Sequence, residues 1–336
     1  MSADKVRIAV VGVGYLGRFH AEKLSRLQDA ELVGVVDSDQ ERAGEIAGNL
    51  GIKAYASHEE VIDKVDAVSV VTPTVTHHRV AVDFLKAGKD VFCEKPLAAS
   101  LEEADAMVGL AEEKGRVLQV GHLERFNPAV EDMLSRAKDP MFIECNRIAP
   151  FKARATDVDV ALDLMIHDLD IILAMVGRDP SEIRAVGVPV LGQHADIVNA
   201  RLEFPGGCVA NVTASRLALK DERKMRVFQP DAYLSLDFKK RKLLVVNGVE
   251  FIPGKKPKVT TQRPRFGKSD PLEKELAAFL DCVRSRACPR VSGADGRRAL
   301  ACALEVHRRV QTSVKGREDL LQAPRHWVDA GGGEGE

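Results

Sequence analysis

Gly12, Gly14 and Gly17 stand at the spacing Gly-x-Gly-x-x-Gly directly after an apolar β-branched run, and Asp37 closes the next such run 20 residues beyond Gly17. The first glycine allows a tight turn, the second lets backbone approach a pyrophosphate, and the third allows close helix packing. The helix N-terminus then offers N–H donors to the anion. Strand, turn, helix and acidic residue fall in register, so the segment reads as a dinucleotide site in which Tyr15 and Leu16 complete the loop. Asp37 accepts from ribose hydroxyls and repels a 2′-phosphate, which favours NAD over NADP; Arg42, one helical turn on, is the one nearby cation. Two further segments, Thr72-Pro73 with His77 and Glu94-Lys95-Pro96, leave the ends of later strands, where open α/β sheets bind ligands. Lys95 there would hydrogen-bond a substrate hydroxyl and stabilise charge on its oxygen, or be a plain surface lysine. Asp163, His167 and Asp170 recur at i, i+4 and i+7, on one helical face. That face suits an acid/base histidine oriented by a carboxylate, a metal pair or a solvated helix edge.

These residues need particular elements to hold them. From residue 5 to about 120, apolar runs at 6–11, 32–36, 68–71, 91–93 and 117–120 alternate with helical patterns at 15–27, 39–49, 76–87 and 100–113. The runs are nearly continuous in apolar residues, as in a parallel sheet covered on both faces, so the expected fold is an α/β Rossmann domain. Ser100, with Glu103 three residues on, is the expected cap of the fourth helix. After about 140, strands follow strands at 142–148, 181–190, 198–204, 208–215, 223–228, 233–237 and 242–246, broken by one helix near 160–176. The second domain is therefore expected to be α+β, with a mostly antiparallel, open-faced sheet. Pro205-Gly206-Gly207 and Asn247-Gly248 read as turns between strands. The expected division is 1–122 for the cofactor and 123–315 for substrate and oligomerisation. Closing helices at 271–286 and 294–312 would pack back on the first domain, and 316–336 forms an extension pinned by Trp327 before its glycines.

Composition sets outer limits. With 336 residues, 49 Lys plus Arg against 50 Asp plus Glu and 45% apolar residues, the chain suits two globular domains and lacks the basic surplus of a broad nucleic-acid face. The Lys239-Lys240-Arg241-Lys242 run, with Lys255, Lys256 and Lys258 beyond it, reads as a solvated hairpin edge. No apolar window reaches membrane-spanning length and no export signal opens the chain, so a cytoplasmic protein that binds neither membrane nor nucleic acid is expected. The six cysteines lack zinc-like spacing, so reduced thiols and no metal are expected.

Taken together, the glycine triplet with Asp37, Thr72-Pro73 with His77, Glu94-Lys95-Pro96, the Asp163–Asp170 helix and the ending PLEKELAAFLDCVRS…VSGADGRRALACALEVHRRV resemble the Gfo/Idh/MocA oxidoreductases over nearly the whole chain. The resemblance implies hydride transfer between a nicotinamide and a sugar or cyclitol carbon, and homo-oligomers built by packing the open sheets. It also implies a cis Lys95-Pro96 bond, with Lys95 and His167 beside the substrate and Asp163 assisting. Met165 stands where the family more often has glycine, a departure expected to bear on the substrate pocket. The strings DLMIHDLD and Gly121-His122-Leu123-Glu124-Arg125-Phe126-Asn127-Pro128 are most similar to the members that oxidise the 3-hydroxyl of UDP-N-acetylglucosamine, a step toward the 3-amino sugar of lipid A. Arg125, Asn127, Arg147, Lys152 and Arg154 are then the expected groups for the diphosphate. Inositol- or glucose-type chemistry is the nearest alternative, and a dinucleotide sensor without catalysis is the alternative of another class.

Overall fold

The protein is described here by a computed structural model covering residues 5–151, 159–191, 194–250 and 258–315. Its N-terminal half alternates β1 (Val6–Val11), α1 (Gly17–Leu24), β2 (Ala30–Val36), α2 (Gln40–Leu50), β3 (Lys53–Tyr55), β4 (Ala67–Val70), α3 (Thr74–Lys86), β5 (Asp90–Glu94), α4 (Leu101–Glu113) and β6 (Leu118–Gly121). The six strands form a parallel sheet in the order β3-β2-β1-β4-β5-β6. The order reverses between β1 and β4, and the crevice beyond the carboxyl ends of those strands is where such sheets take ligands. Local chemistry sets the helix starts. Asp39 accepts from Arg42 N at 3.0 Å to cap α2, and Ser100 accepts from Glu103 N at 3.2 Å to cap α4. The expected strands and helices of this half are present. Only α1 is clearly shorter than its pattern, because Ser25 to Leu27 turn back on Ala21 and Lys23.

A 3-10 turn at Leu123–Phe126 and helix α5 (Pro128–Arg136) join this sheet to β7 (Phe142–Ile148). A π-helical turn at Ala161–Met165 then leads into α6 (Ile166–Val176). The remaining elements are β8 (Glu182–Val188), β9 (Ile197–Glu203), β10 (Val209–Ser215), β11 (Glu222–Gln229), β12 (Ala232–Asp237), β13 (Lys242–Glu250), β14 (Lys258–Gln262), α7 (Pro271–Ser285) and α8 (Gly293–Lys315). The eight strands run β14-β13-β12-β11-β7-β10-β9-β8, antiparallel except for the β7–β10 pair. Alternate residues of β7, β9 and β10 are buried against α6 and α8, which leaves the other face open. This is the expected Rossmann domain plus a mostly antiparallel sheet.

Asn247-Gly248 is a correction. It lies inside β13, where the pairing with β14 shifts register between Val246 and Val249 and Gly248 takes φ +78°, so the pair makes a bulge and not a turn. The reversal between β12 and β13 falls instead on the basic run, with Arg241 at φ +50°. Pro205-Gly206-Gly207 does turn the chain, with both glycines at positive φ. Helix α7 packs on α1 and β1, while α8 spans from α4 and β6 to α6 and β8. The closing helices thus tie the two sheets together. The extension at 316–336, with Trp327, lies outside the described residues, as do Lys255 and Lys256. Among the described residues no helix is long and apolar enough to cross a membrane. All six cysteines are free, and only Cys288 is exposed.

Candidate active site

The glycine triplet divides its labour as the spacing predicts. At Gly12, with φ +87°, a Cβ would lie 2.7 Å from the Val71 carbonyl; at Gly17 it would lie 1.8 Å from the Gly12 carbonyl. A Cβ at Gly14 would meet nothing nearer than Arg42 Nη1 at 3.8 Å, so that face is open. No side chain caps α1; the amides of Arg18, Phe19 and His20 bond to the carbonyls of Gly14 and Leu16 within the turn itself. Tyr15 and Leu16 are exposed at the lip, Tyr15 at 64%. Asp37 accepts from Val13 N at 2.8 Å and Asp39 N at 2.9 Å, so one carboxylate fixes both ends of the loop. A cavity of about 610 Å³, lined by Gly12, Gly14, Asp37, Arg42, Thr72 and Pro73 among others, lies against it. Arg42 sits 2.5 Å from Asp39 and 3.6 Å from Asp37, spent on two carboxylates. An uncapped helix end, an open glycine face and a carboxylate lining the cavity together fit NAD.

Two residues expected to touch the cofactor do something else. His77 is 1% exposed, with Nδ1 on the Pro96 carbonyl at 3.0 Å and Nε2 on the Thr72 carbonyl at 2.9 Å. Its ring ties the loop after β4 to the loop after β5, and burial lowers its pKa. Glu94 is buried beneath Lys95 and accepts from Lys95 N at 3.1 Å, with His20 Nε2 at 3.3 Å from its other oxygen. Burial pushes the Glu94 carboxyl up, but His20 and the Lys95 amide outweigh it and hold it below the usual carboxylate range. Both residues position the loops that carry Thr72 and Lys95.

The Lys95-Pro96 bond is cis, and Lys95 Nζ donates to the Asp163 carbonyl at 3.0 Å with Asp163 Oδ1 at 3.7 Å. Asp163 lies in the π turn, whose wider ladder re-aims its carbonyl toward the lysine. Burial lowers the Lys95 pKa, and Asp163 and Glu94 partly restore it. His167 stands at the first turn of α6; burial, then the charges of Lys95 and Arg147, push its pKa well below the ordinary histidine value. A neutral imidazole beside an ammonium that is steered by a carboxylate can take a proton while the ammonium holds an oxygen.

The cations expected to meet a diphosphate are largely occupied. Arg147 is buried and forms a bidentate pair with Asp168 at 2.8 and 2.7 Å, which corrects its assignment to phosphate. Asn127 caps α5 by accepting from Ala129 N at 3.1 Å and donates to Glu124. Arg125 donates to Asp170 at 3.3 Å and to the Arg290 carbonyl at 3.2 Å. Lys152 and Arg154 lie outside the described residues. Met165 is fully buried in the core beneath α6 and does not border the pocket. Sequence reasoning missed Arg223, on the inward face of β11 opposite Arg147, whose charge also bears on His167. It missed His122 too, although a residue at the carboxyl end of a parallel strand is where ligand contacts fall.

Residues 6–122 match the oxidoreductase family with an NAD-binding Rossmann fold, and residues 144–234 match the GFO/IDH/MocA C-terminal domain. The chain belongs to the Gfo/Idh/MocA oxidoreductases. As a member of that family it is an NAD-binding dehydrogenase. It is 41% identical over 312 residues to UDP-N-acetylglucosamine 3-dehydrogenase of Acidithiobacillus ferrooxidans, covering 92% of this chain and 99% of that one. A solved structure of that enzyme superposes with a TM-score of 0.88 at 40% identity, covering 93% of this chain and all of the other. Myo-inositol 2-dehydrogenase of Thermotoga maritima is 30% identical over 315 residues, 88% of this chain and 93% of the relative.

Proposed function

We propose that the protein oxidises the 3-hydroxyl of UDP-N-acetylglucosamine to a ketone, with NAD as hydride acceptor. The observation that carries this reading is the placement of Lys95, Asp163 and His167 together beyond β5, in a chain that matches the Acidithiobacillus 3-dehydrogenase end to end. When bound, NAD supplies the two-electron acceptor. His167, half-buried and held neutral by loss of water and by the charges of Lys95 and Arg147, takes the hydroxyl proton. Lys95 donates to the same oxygen and stabilises its developing charge, and Asp163 keeps the ammonium charged and aimed. Residues 1–122 hold the cofactor and 123–315 the substrate. The 3-keto product is the substrate of an aminotransferase on the way to the 3-amino sugar of lipid A. NAD and nucleotide sugars are drawn from the cytoplasm, where the free thiols stay reduced. The open sheet face, with Val186, Val188, Ile197 and Phe228 exposed, joins copies of the chain.

NADH absorbance with UDP-N-acetylglucosamine, UDP-glucose, free hexoses and myo-inositol tests the substrate, with an aminotransferase present to remove ketone. The nucleotide sugar is expected to be oxidised fastest; turnover only of a free hexose or cyclitol overturns the reading. Lys95→Met and His167→Asn are each expected to cut turnover by about a hundredfold or more while NAD still binds.

A further inference from the structure

Four buried polar atoms gather behind His167 with no hydrogen-bond partner in the protein: both ring nitrogens of His122, Nδ1 of His167 and Oδ2 of Asp170. Native interiors leave few such groups unpaired, and those that persist call for a function. His122 follows β6 directly and is 1% exposed. Its ring stands edge-on to that of His167, with centroids 6.5 Å apart, and its Nδ1 lies 4.0 Å from Asp170 Oδ2. These spans exceed a hydrogen bond. They are of the order that one bridging water or the closing of the site on substrate removes. The charged groups around His122 are Lys95 and Glu94 from the β5 end, Arg125 from the 3-10 turn and Asp170 from α6; Asp295 of α8 adds its charge at Asp170.

We propose that His122 and Asp170 carry away the proton that His167 receives, making His122 a second working histidine of the site. The inference rests on the reading of His167 as the base. Oxidation of the alcohol sends the carbon-bound hydrogen with two electrons to NAD and leaves a ketone. The hydroxyl proton goes to His167, then to His122 and to Asp170, and the next substrate finds His167 neutral again. The direction of travel follows from charge. The charges of Lys95 and Arg147 both bear on His167, so a proton held there is repelled, whereas Asp170 is a carboxylate. Burial also pushes the Asp170 carboxyl up, against the pull of His122 and Arg125, so it can hold a proton in transit. Arg125 donates to Asp170 at 3.3 Å and to the Arg290 carbonyl at 3.2 Å, so it aims the carboxylate and, having no acceptor of its own, carries no proton; from Asp170 the proton passes to water.

The test compares wild type with H122F, H122Q and D170N, using the alcohol that wild type oxidises fastest in the panel above. NADH formation and proton release to a dilute indicator dye are followed in the same stopped-flow trace. His122→Phe is expected to lower kcat about tenfold or more with KM within about twofold. Proton release should lag NADH, and added imidazole should restore the rate. His122→Gln, polar and of similar size but unable to relay a proton, is expected to behave the same way and decides the matter if the Phe variant does not fold. Wild-type rates with synchronous proton release in H122Q overturn the relay, as does a loss of rate that imidazole leaves untouched. Failure of the underlying reading looks different: His167→Asn then turns over like wild type, and the relay falls with it.

Discussion

A single methyl at Gly121 would stand 2.7 Å from Glu94 Oε1 and 2.9 Å from Oε2. Because that carboxylate is buried, faced by His20 and accepting from the Lys95 amide, it has little room to retreat. Gly121→Ala is therefore expected to shift Lys95 and lower kcat by about ten- to a hundredfold while NADH affinity, measured by fluorescence titration, stays the same. The depressed His167 makes a prediction about pH. Burial and neighbouring cations favour its neutral form, so the acidic limb of kcat should lie below the ordinary histidine value of about 6.5. A limb at or above that value in a pH–rate series would falsify the assignment of His167 as a buried base. Arg223, on the inward face of β11 and paired with Asp221 at 3.3 Å, is the cation we expect to meet the substrate diphosphate. Arg223→Ala should raise KM for the nucleotide sugar about tenfold with little change in kcat. Lys95 was legible from its place just past a strand end, and Asp163 and His167 from their i, i+4 spacing on one helical face. Glu94 and His77 were legible as motif members but not in role, since only packing shows that their side chains point away from the crevice.

At the scale of elements, the join between the two sheets depends on close approach. A Cβ at Gly296 of α8 would lie 2.5 Å from Val120 Cγ2, and one at Gly293 2.7 Å from Leu118 Cδ2. Gly296→Ala is expected to cost about 1–3 kcal/mol in denaturant unfolding, because β6 and α8 must separate to admit it. Arg147 and Asp168 link β7 to α6 in a buried pair. Arg147→Met leaves Asp168 charged and unpaired, with an expected loss of about 3–5 kcal/mol by the same measurement. Helix starts could be read from Asp39, Ser100 and Asp270, whose short side chains accept from the first-turn amides. The strand β3 could not, having three residues and no alternation to display. The π turn under Asp163 was equally hidden, because a helix with one extra residue in a turn has no distinct local composition.

For the molecule as a whole, Glu275 of α7 marks where the closing helix meets the Rossmann sheet. It is fully buried with both carboxylate oxygens unpaired, and Gln119 of β6 donates to its main-chain carbonyl at 3.1 Å. Burial, reinforced by the charges of Glu94 and Asp170, raises its pKa well above the usual carboxylate value. A raised acid contributes stability that is complete below its unfolded pKa and is lost as pH rises through the folded one. Relative to wild type, Glu275→Gln should therefore gain in melting temperature as pH increases across that window. Parallel melts over a pH series check this, and a constant difference between the two proteins would count against it. The open face of the second sheet makes a second prediction at this scale. Light scattering should report a dimer or larger, and Phe228→Asp should shift the population toward monomer.

The sequence by itself determined the dinucleotide loop, the two sheet types and the Ser100 cap, and through a family resemblance it supplied the three residues proposed for catalysis. The loop and the sheets are written in local spacing, as glycines at a turn and as period-two or continuous apolar runs. Tertiary structure alone decided which charges are free. Arg147 and Asn127 look like ligands for phosphate until β7, α6 and α5 are packed, when each is found bound to a buried partner. It alone brought His122, just after β6, against His167 and Asp170 of α6, because partners far apart in the chain are chosen by the packing of elements and leave no trace in local periodicity.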